Sequence, residues 1–132
     1  MSRILLAAIN LLPFAPSLVA QAPPARPSPQ LITLDSTAVG YTRVLGGPPA
    51  SITMRSGQLL LAPGASVGRH STERYEELVI VLAGSGEMRV TGGATLALRE
   101  GTVAYCPPDT EHDIVNTGTR PLRYLYVVAR AP

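Results

Sequence analysis

The stretch Gly64-Ala65-Ser66-Val67-Gly68-Arg69-His70-Ser71-Thr72-Glu73-Arg74-Tyr75-Glu76-Glu77-Leu78-Val79-Ile80-Val81-Leu82-Ala83-Gly84 decides the fold. Its second half, Leu78 to Ala83, is apolar at every position and stops at a glycine. That pattern predicts a strand covered on both sides, by a barrel interior and by another sheet or subunit. The first half is polar, yet it sets His70 after Val67-Gly68-Arg69 and Glu77 at the head of the apolar run. A titratable group beside an apolar strand needs a reason, because an unpartnered buried charge is costly.

Outward from this stretch the chain keeps a period of two. Gln58-Leu59-Leu60-Leu61, Glu87-Met88-Arg89-Val90-Thr91, Thr95-Leu96-Ala97-Leu98-Arg99 and Arg123-Tyr124-Leu125-Tyr126-Val127 alternate or run apolar between Gly and Pro turns, as strands do. In the middle pair Glu87, Arg89, Thr91 and Arg99 share one face and Met88, Val90, Leu96 and Leu98 the other, so one face meets water. Gly92-Gly93 joins the two as a hairpin turn. About nine or ten strands fit into the roughly 100 residues after Leu31, which predicts a small β-sandwich or barrel with no helical period.

The whole chain has 132 residues, a length that makes one domain the default. With 45% of residues apolar and 15% charged, it has enough for a core and too little charge for a disordered chain. The 13 prolines and 12 glycines follow no collagen-like period and read as turn punctuation. All 11 basic residues are arginine, scattered without an adjacent pair, which argues against a nucleic-acid-binding face. One cysteine forms no internal disulfide, and Cys106, His70 and His112 are too few for a four-ligand structural zinc site.

The amino end reads as an export signal. Arg3 supplies the positive charge, Ile4 to Leu12 the apolar stretch, and Ser17-Leu18-Val19-Ala20 the small-residue region, so residues 1–20 are expected to be removed after Ala20, or two residues later. The apolar run, broken by Asn10, Pro13 and Pro16, is too short for a membrane anchor. Residues 21–30, with Pro23, Pro24, Pro27 and Pro29, form an extended tether, and residues 31–132 the folded domain. The expected location is periplasmic or secreted.

A second stretch carries the other histidine: Gly101, five residues, Pro107, one residue, Asp109, two residues, His112, three residues, Asn116. Two imidazoles and one carboxylate form the ligand set that holds a divalent first-row metal on one face and leaves positions for water or substrate. Taken singly, each residue has an ordinary explanation as a surface or backbone-satisfied group. The spacing outweighs that. Gly64, His70, Thr72, Glu77 and Gly84 resemble the first motif of the cupin superfamily, with Thr72 where the family usually has a second His. The stretch from Gly101 to Asn116 resembles the second motif, with Asp109 in place of Gly.

The resemblance implies an all-β fold, a double-stranded β-helix or jelly-roll barrel, with the motif residues inside. It implies that His70, Glu77 and His112 ligate one divalent metal, Mn, Fe, Ni, Co or Zn, with Glu76 as a fallback carboxylate directed to the opposite face. A threonine hydroxyl is a poor replacement for imidazole, so the site is either a three-residue face completed by water or binds no metal well. The expected function is a metal-dependent enzyme of oxygenase or isomerase type acting on a small organic acid or sugar. The alternative is a metal-free, non-catalytic module that binds a small ligand at the barrel mouth. Candidate groups around the metal are Gln58, Arg69, Tyr105, Tyr124 and Tyr126, of which Tyr124 and Tyr126 share a face. A nucleophilic role for Cys106 is disfavoured by its apolar strand position, where a buried inert thiol is usual. The two-sided apolar strand predicts a homodimer.

Overall fold

A computed structural model of the chain describes residues 26–132. The expected leader, residues 1–20, lies outside the described residues, as does the first half of the expected tether, residues 21–25. Nine strands follow an arm of irregular, mostly exposed chain: β1 (Gly40–Gly46), β2 (Arg55–Leu61), β3 (His70–Ser71), β4 (Tyr75–Ala83), β5 (Ser85–Val90), β6 (Thr95–Arg99), β7 (Val103–Cys106), β8 (Glu111–Val115) and β9 (Leu122–Arg130). They form a five-stranded sheet in the order β1-β2-β9-β4-β7 and a four-stranded sheet in the order β3-β8-β5-β6. All pairings are antiparallel. The period-two pattern predicted a small β-sandwich or barrel, and this is the jelly-roll barrel that the resemblance implied.

The two sheets close on an apolar core that fills one end of the barrel. Val79, Val81, Met88, Leu98, Ile114, Leu122 and Tyr124 are each at most 2% exposed, and they alternate with outward residues along their strands. Met88 pairs with Leu96 across the β5–β6 hairpin, while Glu87 and Arg89 face outward and form an ion pair at 2.9 Å. The turn between them uses Gly92 at a φ of 67°. At the closed end, a Cβ on Gly84 (φ 80°) would overlap the Pro121 carbonyl, so the glycine that ends β4 is required both by its backbone angle and by the chain passing over it.

The run Leu78–Ala83 was expected to be covered by the barrel interior and by another sheet or subunit. Val79 and Val81 are buried in the interior, while on the opposite face Leu78 is 40% exposed and Ile80 and Leu82 are half-buried, so among the described residues the second cover is not a sheet. β4 lies between β9 and β7 with the barrel interior on one side and no second layer of described residues on the other.

Candidate metal centre

The open end of the barrel is built by register. β3 contributes two residues, and its pairing sets His70 directly opposite His112 of β8. Directly opposed residues of an antiparallel pair project from the same face. The two imidazole rings accordingly lie 4.4 Å apart between centroids, tilted by 57°. Glu77 arrives from the other sheet, near the start of β4, and its Oε2 lies 3.4 Å from His112 Nε2. The three side chains offer ligand atoms within 4.8 Å of one another, a group that could hold a metal ion.

The environment of each group fits that use. His112 is fully buried and Glu77 is 7% exposed, whereas His70 sits at the exposed rim. His70 Nδ1 lies 2.9 Å from the Gly68 carbonyl, and His112 Nδ1 lies 3.3 Å from that of Thr110. A carbonyl only accepts, so each Nδ1 carries a proton and Nε2 is the nitrogen available to a metal once it has lost its own proton, the orientation metal-ligating histidines normally have. His112 Nε2 is buried and makes no hydrogen bond among the described residues, with Glu77 Oε2 3.4 Å away. Such an orphaned buried nitrogen beside a carboxylate is what a divalent cation would satisfy. Burial alone pushes the His112 pKa down, but the adjacent Glu77 carboxylate more than offsets this and holds it above its ordinary value.

Thr72, at the usual position of a further histidine, has a different task. Its buried hydroxyl donates to the Pro107 carbonyl at 2.8 Å and accepts from the Thr110 N–H at 2.9 Å. Both of its hydrogen-bonding directions are committed to clamping the β3–β4 connection to the turn before β8. The same turn carries Asp109 at a φ of 55°, in the left-handed region, and its N–H donates to the Glu73 carbonyl at 2.7 Å. Aspartate is one of the few residues other than glycine that tolerates this angle, so its replacement of Gly leaves the turn intact.

The remaining candidates separate by face. Tyr124 and Tyr126 both line the cavity above the centre, and burial is the first cause that raises the pKa of each. Arg69 is at the rim, 3.9 Å from Glu111. Gln58 and Tyr105 do not reach the centre. Gln58 lies on the outward face of β2, where its amide donates to the Asp35 carbonyl under the N-terminal arm. Tyr105 points outward and donates to Glu76 at 3.2 Å, which also places Glu76 on the outside of the sheet, as alternation required. Cys106 is 1% exposed, lies against Met88 with the sulfurs 3.3 Å apart, and has its thiol pKa pushed up to about 11 by burial and then by the Glu77 charge. It is a packed, protonated thiol.

The cavity measures about 480 Å³ and also involves Tyr41, Arg55, Leu59 and Tyr75, none of which the sequence reading singled out. A Cβ on Gly57 would lie 2.5 Å from the Tyr41 ring and 2.7 Å from the Tyr126 ring. The absent side chain is therefore what lets the two phenols meet over β2, their rings stacked at 6.4 Å. A signal for Arg55 existed: with Gly57 and Leu59 inward, alternation puts this arginine on the same face, where it stands at the exposed rim of the cavity.

Residues 57–128 match the model of the cupin domain family. The chain belongs to the cupins, small β-barrels of which this fold is an example. A curated relative, an oxalate-binding protein of Thermotoga maritima, is 32% identical over 71 residues, 54% of this chain and 58% of the relative, so the match spans little more than half of that protein's length. A cupin 2 conserved barrel domain protein from Salinispora arenicola superposes with a TM-score of 0.65 at 24% identity, covering 79% of this chain and 91% of that one. A predicted oxalate decarboxylase from Thermotoga maritima superposes with a TM-score of 0.57 at 21% identity, covering 77% of this chain and all of that one. These two structural likenesses bear on the fold.

Proposed function

We propose that the protein binds one divalent first-row cation through His70, Glu77 and His112, and uses it to hold a small organic acid in the cavity above. The observation that carries this reading is the buried, unpartnered His112 Nε2 beside Glu77, with His70 completing a triad of ligand atoms within 4.8 Å. The relative named for oxalate binding supports a carboxylate as the ligand's coordinating end. When bound, a cation at this position supplies Lewis acidity toward a coordinated carboxylate, hydroxyl or enol oxygen. The chain's own residues hold the site in shape: the Gly68 and Thr110 carbonyls orient the imidazoles, and the Thr72 clamp fixes the loop between them. Leu59, Val67 and Ile114 exclude water from one wall. An oxygenase or isomerase reaction on such an acid is the enzymatic form of this proposal.

The test is elemental analysis of the protein purified without chelator, beside Glu77→Gln. Glutamine keeps the shape of the side chain and removes its charge. The expected result is near one equivalent of metal in the parent and a more than tenfold weaker hold in the variant. Absence of metal in the parent, with no uptake on addition, would refute the reading and favour the metal-free ligand-binding module.

Two accompanying proposals concern context. Residues 1–20 act as a cleaved export signal, tested by whether the amino-terminal sequence of the native protein begins at Gln21. The outer face of the five-stranded sheet pairs two copies. There Leu78, Val103 and Tyr105 are 40%, 59% and 52% exposed beside a groove lined by Met54, Val127 and Ala129. Light scattering should then give twice the mass of the mature chain, and Leu78→Glu should give the monomer.

A further inference from the structure

We infer that Arg55 is the anchor for a second anionic group, so that the acid the cavity takes has two charged ends separated by an apolar spacer and is longer than oxalate. The inference rests on the reading of His70, Glu77 and His112 as the metal-holding face for the first end. Register supplies the geometry. Arg55 of β2 pairs with Val128 of β9, Val128 with Glu77 of β4, and Glu77 with Cys106 of β7, so these residues form one inward row across the sheet. Adjacent strands lie about 4.8 Å apart, which sets the Arg55 and Glu77 backbones roughly 10 Å from each other with Val128 between them. Oxalate, whose two carboxylates are directly bonded, fits wholly on one metal and leaves the Arg55 end of the row unused.

Arg55 is placed for such a role and has no charged partner among the described residues. Its guanidinium lies 5.7 Å from the centre of the Tyr75 ring. Its stem packs on Gly47, where an added Cβ would sit 3.2 Å from Nε. The ion pairs among the described residues are Arg69–Glu111, Arg89–Glu87 and His112–Glu77, and Arg55 enters none of them. At the exposed rim, the Tyr75 ring and the Gly47 backbone flank the guanidinium without neutralising it, which leaves it available to a carboxylate. The cavity of about 480 Å³ falls in the range of pockets for ligands well above oxalate in size. Along the row, Val128 and the neighbouring Tyr126 offer apolar surface to a spacer.

The experiment is calorimetric titration of the manganese-loaded full protein with oxalate, α-hydroxyglutarate and α-hydroxyvalerate. The last two share a carbon count and a chelating end and differ in the second carboxylate. Arg55→Gln and Arg55→Lys are titrated alongside, and metal content is measured on the same samples. The expected result is that α-hydroxyglutarate binds at least about tenfold more tightly than α-hydroxyvalerate, the effect of one charge-assisted contact. Arg55→Gln should bring that ratio near one, and Arg55→Lys should restore part of it. A ratio near one in the parent, a ratio unchanged by Arg55→Gln, or oxalate binding more tightly than α-hydroxyglutarate overturns the inference. Metal retained with the ratio absent overturns Arg55 alone. An Arg55-dependent ratio in protein that takes up no metal supports Arg55 and overturns the metal reading.

Discussion

The two ends of strand β4 differ in what they bury. Toward Ala83 the inward residues Val79 and Val81 meet Leu122, Tyr124 and Met88 in a dry apolar core. Two residues before Val79, on the same face, Glu77 is equally enclosed but faces an imidazole across the barrel. Apolar packing explains the first end completely, since removing such surface from water stabilises the fold without any partner requirement. It does not explain the second. A buried carboxylate and a buried imidazole lacking a hydrogen bond between them cost stability, and groups held at such a cost mark a functional site. The closed end buries the apolar core and the open end gathers the titratable groups of the candidate site, on one strand.

Leu122→Ala strikes the closed end hardest. Leu122 is fully buried, and its truncation should lower unfolding free energy by about 2–5 kcal/mol, read by denaturant titration. Metal affinity should then fall only as far as folding does; a selective loss of metal in folded Leu122→Ala would break the separation of the two ends.

Next in size is Thr72→Val at the open end. It strips the partner from the Thr110 N–H and the Pro107 carbonyl, with an expected cost of about 1–3 kcal/mol. Because the clamp also sets the loop beside His70, metal affinity should weaken beyond the stability change. A variant as stable as the parent would show the clamp to be dispensable.

The pH response sharpens the comparison, because the two states should move in opposite directions. In metal-free protein His112 has a pKa raised above 6.5 by Glu77. Its contribution to stability is therefore complete below the unfolded value and lost as pH rises through the folded one. A metal ion competes with that same proton, so its affinity, and the stability it adds, should rise over the same window. Melting temperatures with and without chelator from pH 5.5 to 8.5 should diverge upward. Parallel curves would mean that metal does not displace the His112 proton.

The smallest expected effect is at Cys106. With its thiol pKa at about 11 and its surface closed, it should resist alkylation at pH 8 in the native protein and react only on unfolding. Rapid native labelling would show that the sheet opens near Glu77, with which Cys106 pairs.

Much of this molecule was readable along the chain because its signals are local. Alternation assigns Glu76 and Glu77 to opposite faces and Leu98 and Met88 to the core without reference to any distant residue. Glycine-bounded runs such as Leu78–Ala83 mark strands, and the side-chain types of His70, Glu77 and His112 mark the chemistry a cluster of them would have. Less readable was the cover over Leu78, since an apolar run looks the same whether or not its second face is packed. Tyr105 and Gln58 stood as candidates beside the ordinary reading of packing or surface, and the ordinary reading holds, because a polar or aromatic side chain on a strand does not announce its face until the register of the whole strand is known.

The sequence by itself determined the strand pattern, through its period of two, and, through two spaced motifs that resemble those of the cupins, the barrel class and the candidate ligands. Only the tertiary structure decided that His70 stands opposite His112, that Glu77 meets them from the other sheet, that the Thr72 hydroxyl is spent on a loop, and that Arg55 shares a row with Glu77. These are pairings between strands far apart in the chain. Their register is set by closure of the whole barrel around its apolar core, and no local signal carries it.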